Sequence, residues 1–293
     1  MANSKRILIL GGSGMLGHKL WQRLTKHFPQ TWTTLRGPYS NYAKLKFFDS
    51  QQVLYDTDLL TQNALETVLN RASPEVILNC VGITKRHIYN QTNHYGVAQA
   101  IRLNAELPHR ISAWAKHKQA RVIQFSTDCV FDGTKGNYKE NDPCTALDIY
   151  GLSKTLGELN AEHCLTIRSS FVGRELFHKT ELLEWFLQQR GKSIQGFTQA
   201  IYSGLAVWVL ADLVVDLIEK FQDLNGLYHV SSQPINKYEL LYQMQEIFDI
   251  NAIINKDDTV VCKRDLDGSK FSKITGFQAP SWPEMLKGIA KDI

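Results

Sequence analysis

The chain of 293 residues has no run of five or six like charges, no cysteine pair at redox or metal spacing, and no apolar stretch of membrane-spanning length. Its 33 Lys+Arg against 29 Asp+Glu leave a formal net charge of +4, too weak and dispersed to point to nucleic acid or an anionic membrane. The longest apolar stretch, residues 205–218, is interrupted by Asp212 and Asp216 and falls short of the ~20 residues a span requires. Behind Lys5-Arg6 only Ile7-Leu8-Ile9-Leu10 precede glycine, so no secretory leader is expected and a cytoplasmic location is. The five cysteines are scattered, which predicts free, mostly buried thiols in reducing surroundings. The nine histidines also lack metal spacing, and no metal site is expected.

What is present is an alternation of strand and helix patterns. Hydrophobic residues make up 43% of the chain, enough for a substantial core. Residues 6–10 form a continuous apolar run, as a parallel strand covered on both faces requires. Met15, Leu16, Leu20 and Leu24 then recur at helical spacing to about His27. Residues 32–35, 53–55, 75–81 and 121–125 read as further strands, with 37–52 irregular. Residues 64–69 read as a helix, and so does a long segment from about 93 to 117, kinked or broken at Pro108. This predicts an α/β fold with a Rossmann-type doubly wound parallel sheet. After about Ser170 the rhythm loosens into helices near 181–190, 206–220 and 238–248 and a strand at 227–230. The expected organisation is a dinucleotide-binding domain over 1–170 and a smaller C-terminal α/β substrate lobe over 171–293, with 205–230 returning to the first.

Gly11-Gly12-Ser13-Gly14-Met15-Leu16-Gly17 lies between the first strand and the first helix, where a dinucleotide fold needs it. Gly11 permits the tight turn, Gly14 lets a pyrophosphate approach the backbone, and Gly17 allows close helix packing. The helix N-terminus supplies free N–H groups and a positive dipole end. No Asp or Glu occurs between Thr31 and Leu45; Arg36 stands where a ribose-binding carboxylate would select NAD. An arginine suits a 2′-phosphate, so NADP(H) is preferred and NAD(H) stays possible, the other reading of Arg36 being a solvated loop residue. Asp58-Leu59 is either an adenine-side contact or an ordinary helix N-cap.

Tyr150 and Lys154 stand four residues apart on one helix face. A nearby ammonium lowers a phenol's pKa and makes it a usable general acid or base. Tyr42 and Lys46 share the spacing, but in the irregular region, and read as a solvated loop. Thr127, at the end of the strand before Tyr150, is placed to donate to a substrate carbonyl. Lys85-Arg86 either meets a diphosphate or sugar substituent or is a solvated basic loop.

These motifs, GGSGMLG at 11–17, NCVGIT at 79–84, Asn104-Ala105, FSTDCVFDG at 125–133, YGLSKTLGE at 150–158 and IRSSFVG at 167–173, carry a resemblance. The chain is similar to the extended short-chain dehydrogenase/reductase superfamily and, within it, to the dTDP-4-dehydrorhamnose reductase-like branch. The resemblance implies that Tyr150 is the proton donor, that Lys154 binds the nicotinamide ribose and tunes Tyr150, and that Thr127 completes the triad. It implies further cofactor contacts at Met15, Leu16, Cys80, Val81, Gly82 and Asn104. Substrate contacts are implied at Thr84, Asp128, Val130 and Phe131, and Asp128 is either structural or assists proton transfer. The implied function is reduction of a 4-keto nucleotide sugar in deoxysugar and surface polysaccharide synthesis, with a homodimer left open.

Two alternatives follow from the same resemblance: an epimerase or epimerase-reductase, and a non-catalytic dinucleotide-binding regulatory subunit. Superfamily dehydratases carry Thr-Asp-Glu where Thr127-Asp128 is followed by Cys129, which argues against dehydration. Lys85-Arg86-His87 replaces an acidic segment usual in the branch, and residues 263–270 replace its C-terminal Arg-Pro-x-Asn-Ser pattern. Both changes bear on which sugar is bound.

Overall fold

The computed structural model describes residues 4–89 and 95–291. The chain forms two compact units that exchange segments. One holds the residues through Ser126, then Asp148–Ile167 and Ala211–Leu227; the other holds Thr127–Leu147, Arg168–Leu210 and the chain from Tyr228 onward.

The first unit is built on strands β1 (Ile7–Leu10), β2 (Thr31–Thr34), β3 (Val53–Leu54), β4 (Val76–Asn79), β5 (Arg121–Ser126) and β6 (Cys164–Arg168). With the strand Gly226–His229 they make a seven-stranded sheet, whose order from that strand is β6-β5-β4-β1-β2-β3. β1 pairs in parallel with both β2 and β4, so the order reverses direction between β1 and β4. In a doubly wound sheet the crevice at that reversal, outside the carboxyl ends of the strands, is where ligands bind.

Ile7, Leu8, Ile9 and Leu10 are all buried because both faces of β1 are covered. Leu8 and Leu10 share one core with Ile77, Val122, Leu65, Leu69, Leu107 and Ile111. The helices α1 (Met15–His27), α2 (Ala64–Ala72), α3 (Lys85–Tyr89), α4 (Tyr95–Ala100), α5 (Leu107–Lys118) and α6 (Ile149–Leu156) connect the strands.

The expected long helix is interrupted, but not at Pro108 itself. Residues Ile101–Glu106 form a π turn, in which the Leu107 N–H reaches back to the Arg102 carbonyl, and Pro108 sits in the first turn of α5. The cause is local: Pro108 lacks an N–H and its ring crowds the carbonyl four residues back, that of Asn104. The anticipated start of this helix, at 93, lies outside the described residues.

The second unit is more finely divided. Ala200–Tyr202 is the central strand of three, antiparallel to Ile235–Asn236 and parallel to Cys262–Lys263. Ser193–Phe197 pairs in parallel with Ile253–Asp257. Val130, Phe131, Tyr138 and Leu266 form a separate small core, with Phe131 and Tyr138 stacked at 4.0 Å between ring centroids. The cysteines are free, but only Cys164 is fully buried; Cys80, Cys129, Cys144 and Cys262 are half-buried, fewer buried thiols than the composition suggests.

Candidate active site

The glycine turn follows directly on β1. Gly11 has φ +84, a left-handed conformation, and a Cβ there would lie 3.0 Å from Val81 Cγ2 and 3.2 Å from the Cys80 carbonyl carbon. The turn is therefore packed against the end of β4, at the reversal of strand order. A Cβ on Gly17 would overlap the Gly11 carbonyl oxygen, whereas one on Gly14 would meet nothing nearer than 3.4 Å. Gly14 is exposed and is the N-cap of α1, with no side-chain cap and no acidic residue in the first turn. The uncapped amides of Met15, Leu16 and Gly17 and the open space over Gly14 fit a diphosphate. Leu16 is buried, so what it can offer a ligand is backbone.

Arg36 is exposed in the bend just past β2. Asp58 accepts the Leu60 N–H at 3.0 Å, which makes it a turn residue. It is not the N-cap of α2; that position is Asn63, which makes no side-chain cap. Leu59 is buried in the core beneath the sheet and has little side-chain surface left for adenine.

The segment after β4 is held by Asn104. Its Oδ1 accepts the Ile83 N–H at 2.9 Å, and its Nδ2 donates to the Ile83 carbonyl at 3.0 Å and to Ser153 Oγ at 3.1 Å. Asn104 is 1% exposed and clamps the Gly82–Ile83 segment to α6, with almost no surface left to meet a cofactor directly. Cys80 and Val81 are half-buried, Gly82 is exposed, and Thr84 Oγ1 lies 3.2 Å from His87 Nδ1. Lys85 and Arg86 open a helix, contrary to the basic loop that was one of their two readings. Lys85 Nζ is 2.6 Å from Asp148 Oδ2, while Arg86 is exposed.

Helix α6 begins at that same aspartate, whose carboxylate accepts the Gly151 N–H at 2.9 Å. Tyr150 packs in part against the Ile83, Ile88 and Ala100 cluster. Lys154 is buried and donates to the Phe125 carbonyl at 2.6 Å. Burial lowers its pKa to about 8, opposed by the negative charge of Glu158. Glu158 in turn accepts from Ser126 Oγ at 2.7 Å. The other Tyr/Lys pair is excluded by packing rather than solvation. Tyr42 is buried among Phe48 and Tyr55, and its hydroxyl accepts the Gly37 N–H.

Thr127, the residue following β5, opens the second unit. Its Oγ1 accepts the Cys129 N–H at 3.2 Å and donates to Asp128 Oδ1 at 3.1 Å, capping a short 3-10 turn. Val130 and Phe131 are fully buried, so their side chains serve the small core and offer no substrate contact. Nearby in that unit, Arg168 lies over the Phe131 ring and its Nη1 is 3.3 Å from His229 Nε2.

Sequence reasoning missed three supporting residues. Asp148 carried a readable signal, an acid two places before Tyr150 at a helix start. Glu158 stood inside a quoted motif without a role. Gln124, whose Oε1 accepts from Asn79 Nδ2 at 2.8 Å across β5 and β4, carried no signal at all. Among the described residues no group of three His, Cys, Asp or Glu could hold a metal ion, and no helix is long and apolar enough to cross a membrane.

A glycine turn at the strand-order reversal, together with Tyr150 and Lys154 on the helix that follows β5, defines an extended short-chain dehydrogenase/reductase. Residues 5–293 match the RmlD substrate binding domain, and the chain belongs to that family. It is 26% identical over 312 residues to a dTDP-4-dehydrorhamnose reductase of Aggregatibacter actinomycetemcomitans, covering 97% of this chain and 98% of that one. It is 31% identical over 155 residues to the methionine adenosyltransferase 2 subunit beta of Bos taurus, covering 53% of this chain and 42% of that one. In structure it is similar to a dTDP-4-dehydrorhamnose reductase of Bacillus anthracis in complex with NADP. The TM-score is 0.79 at 20% identity, over 99% of this chain and 100% of that one.

Proposed function

We propose that the protein is an NADP(H)-preferring reductase of a 4-keto nucleotide sugar in the cytoplasm, with Tyr150 as the proton donor. The observation that carries this reading is the pairing of Tyr150 with a buried Lys154 whose ammonium is held by the Phe125 carbonyl. The similarity to dTDP-4-dehydrorhamnose reductases over nearly the whole of both chains supports the substrate class.

When bound, the nicotinamide dinucleotide supplies the hydride. The chain's own residues do the rest. The amides opening α1 bind the diphosphate, and Arg36, beyond β2, takes the 2′-phosphate. Lys154 presents a cation one helical turn from Tyr150 and lowers the phenol's pKa from its usual value near 10. Tyr150 then protonates the carbonyl oxygen as the carbon is reduced, giving the alcohol.

The test is oxidation of NADPH and NADH against dTDP- and UDP-4-keto sugars. Tyr150→Phe is expected to lower turnover by roughly 10²–10⁴, as loss of a general acid does. Arg36→Ala is expected to raise KM for NADPH about tenfold, the loss of one charge-assisted contact, and to leave NADH unchanged. Undiminished turnover in Tyr150→Phe would remove the assigned acid.

The similarity to a subunit of methionine adenosyltransferase favours a second reading, a dinucleotide-binding partner without turnover. Tight NADP(H) binding with no reduction of any keto sugar would select it.

A further inference from the structure

A carboxylate that opposes the effect of burial on Lys154 lies just beyond the helix that carries it. α6 ends at Leu156, and the Gly157 N–H closes the helix on the Ser153 and Lys154 carbonyls, each at 3.2 Å. A Cβ at Gly157 would overlap the Asn104 carbonyl oxygen, so the path of the chain here is fixed by close backbone packing. That path returns Glu158 to β5, where it accepts from Ser126 Oγ at 2.7 Å. Lys154 donates to the carbonyl of the preceding residue, Phe125, at 2.6 Å. A lysine and a glutamate four residues apart thus engage two consecutive residues of one strand.

Among the described residues of this unit, the other groups near Lys154 and its Phe125 partner carry no counter-charge. Gln124 Nε2 donates to the same Phe125 carbonyl at 3.4 Å and is neutral, as are Ser126 beside it and Asn104, which is bonded to the neighbouring Ser153. Tyr150 and Ser153 share its helix. Cys80, after β4, is a thiol whose pKa desolvation pushes well above its ordinary range, so it stays neutral. Glu158 is the carboxylate acting on this ammonium, and burial opposes it. A buried lysine without such a partner sheds its proton readily.

We infer that Glu158 is a positioning residue for the reduction: anchored by Ser126, its carboxylate keeps Lys154 protonated, and through Lys154 it keeps Tyr150 competent as an acid. The claim rests on the reductase reading for its consequence in turnover, but its electrostatic content can be measured without substrate. Glu158→Gln preserves shape and an oxygen for Ser126 while removing the charge.

The experiment follows the titration of Lys154 by NMR in lysine-labelled protein, with Lys154→Met to assign the signal. In Glu158→Gln the Lys154 pKa is expected to fall by about 1 unit or more, the usual effect of losing a neighbouring opposite charge. Ser126→Ala, which releases the carboxylate without removing it, is expected to shift the same titration in the same direction by less, and serves if Glu158→Gln does not fold. In the pH profile, Glu158→Gln should approach wild-type turnover near pH 6.5 and lose about tenfold near pH 8.5. A merely structural role would depress turnover equally at both. An unchanged Lys154 titration in folded Glu158→Gln overturns the inference, even if the wild type reduces keto sugars. A shifted titration with no turnover by either protein upholds the charge assignment and removes the reductase reading instead.

Discussion

Lys85 and Asp148 are joined at 2.6 Å, while the other oxygen of the same carboxylate accepts the Gly151 N–H at 2.9 Å. One aspartate therefore caps the helix of Tyr150 and Lys154 and receives the first side chain of α3, so the segment after β4 and the reactive helix share an anchor. Asp148→Ala is expected to cost about 1 kcal/mol of stability, the usual loss of an N-cap. Asp148→Asn keeps the cap and removes only the ion pair. Both ends of that pair are partly solvated, so the loss should be no more than about 0.5 kcal/mol, matched by Lys85→Met. Urea unfolding of the three variants would expose an error in this division if Asp148→Asn proved as damaging as Asp148→Ala.

The two ends of the glycine turn should separate binding from folding. Gly14→Ala meets no atom nearer than 3.4 Å, so its melting temperature should stay close to wild type. Its NADPH Kd should rise about tenfold or more as the methyl enters the diphosphate's space. Gly17→Ala drives a methyl into the Gly11 carbonyl and is expected to lower stability by about 2 kcal/mol or more. Differential scanning calorimetry with and without NADPH reads both outcomes.

His229 makes the second unit acid-sensitive. It is fully buried, and burial first, then the adjacent Arg168 guanidinium, lower its pKa from 6.5 to about 4. Between those values the unfolded chain takes up a proton that the folded chain refuses. Stability is then complete above about pH 6.5 and declines as pH falls toward 4. From pH 7 to pH 5 the loss should be about 2 kcal/mol from this group, visible as a lower urea midpoint. His229→Asn, which can still donate to the Tyr138 carbonyl that Nδ1 faces at 3.0 Å, should flatten this dependence. An equally steep decline in that variant would place the acid sensitivity elsewhere.

The fold was legible because its signals are local. The apolar run at β1, the glycines after it and the periodicity of α1 each follow from adjacent residues. Tyr150 and Lys154 were legible for the same reason, being one turn apart on one helix. What escaped was set by contacts across the chain. Asn104 could be expected near the cofactor, yet its three hydrogen bonds, to Ile83 twice and to Ser153, exist only once β4 and α6 are in place. Phe131 looked like part of a substrate motif, but its ring is stacked on Tyr138, seven residues on. Lys85 was read by its charge and its departure from a pattern, when its partner was Asp148, 63 positions away and outside every quoted motif.

The π turn at Ile101–Glu106 gives one rod two phases. In an uninterrupted α-helix, residues 104 and 107 project from nearly the same side. Here Leu107, Ile111 and Ala115 lie in the core with β1, β4 and β5, while Asn104 reaches Ile83 and Ser153. The wider turn adds the equivalent of one residue, about 100° of rotation, between the two faces. Restoring a regular helix would force a choice between seating the apolar stripe and seating the asparagine. Pro108, by making the regular form costly, removes that choice.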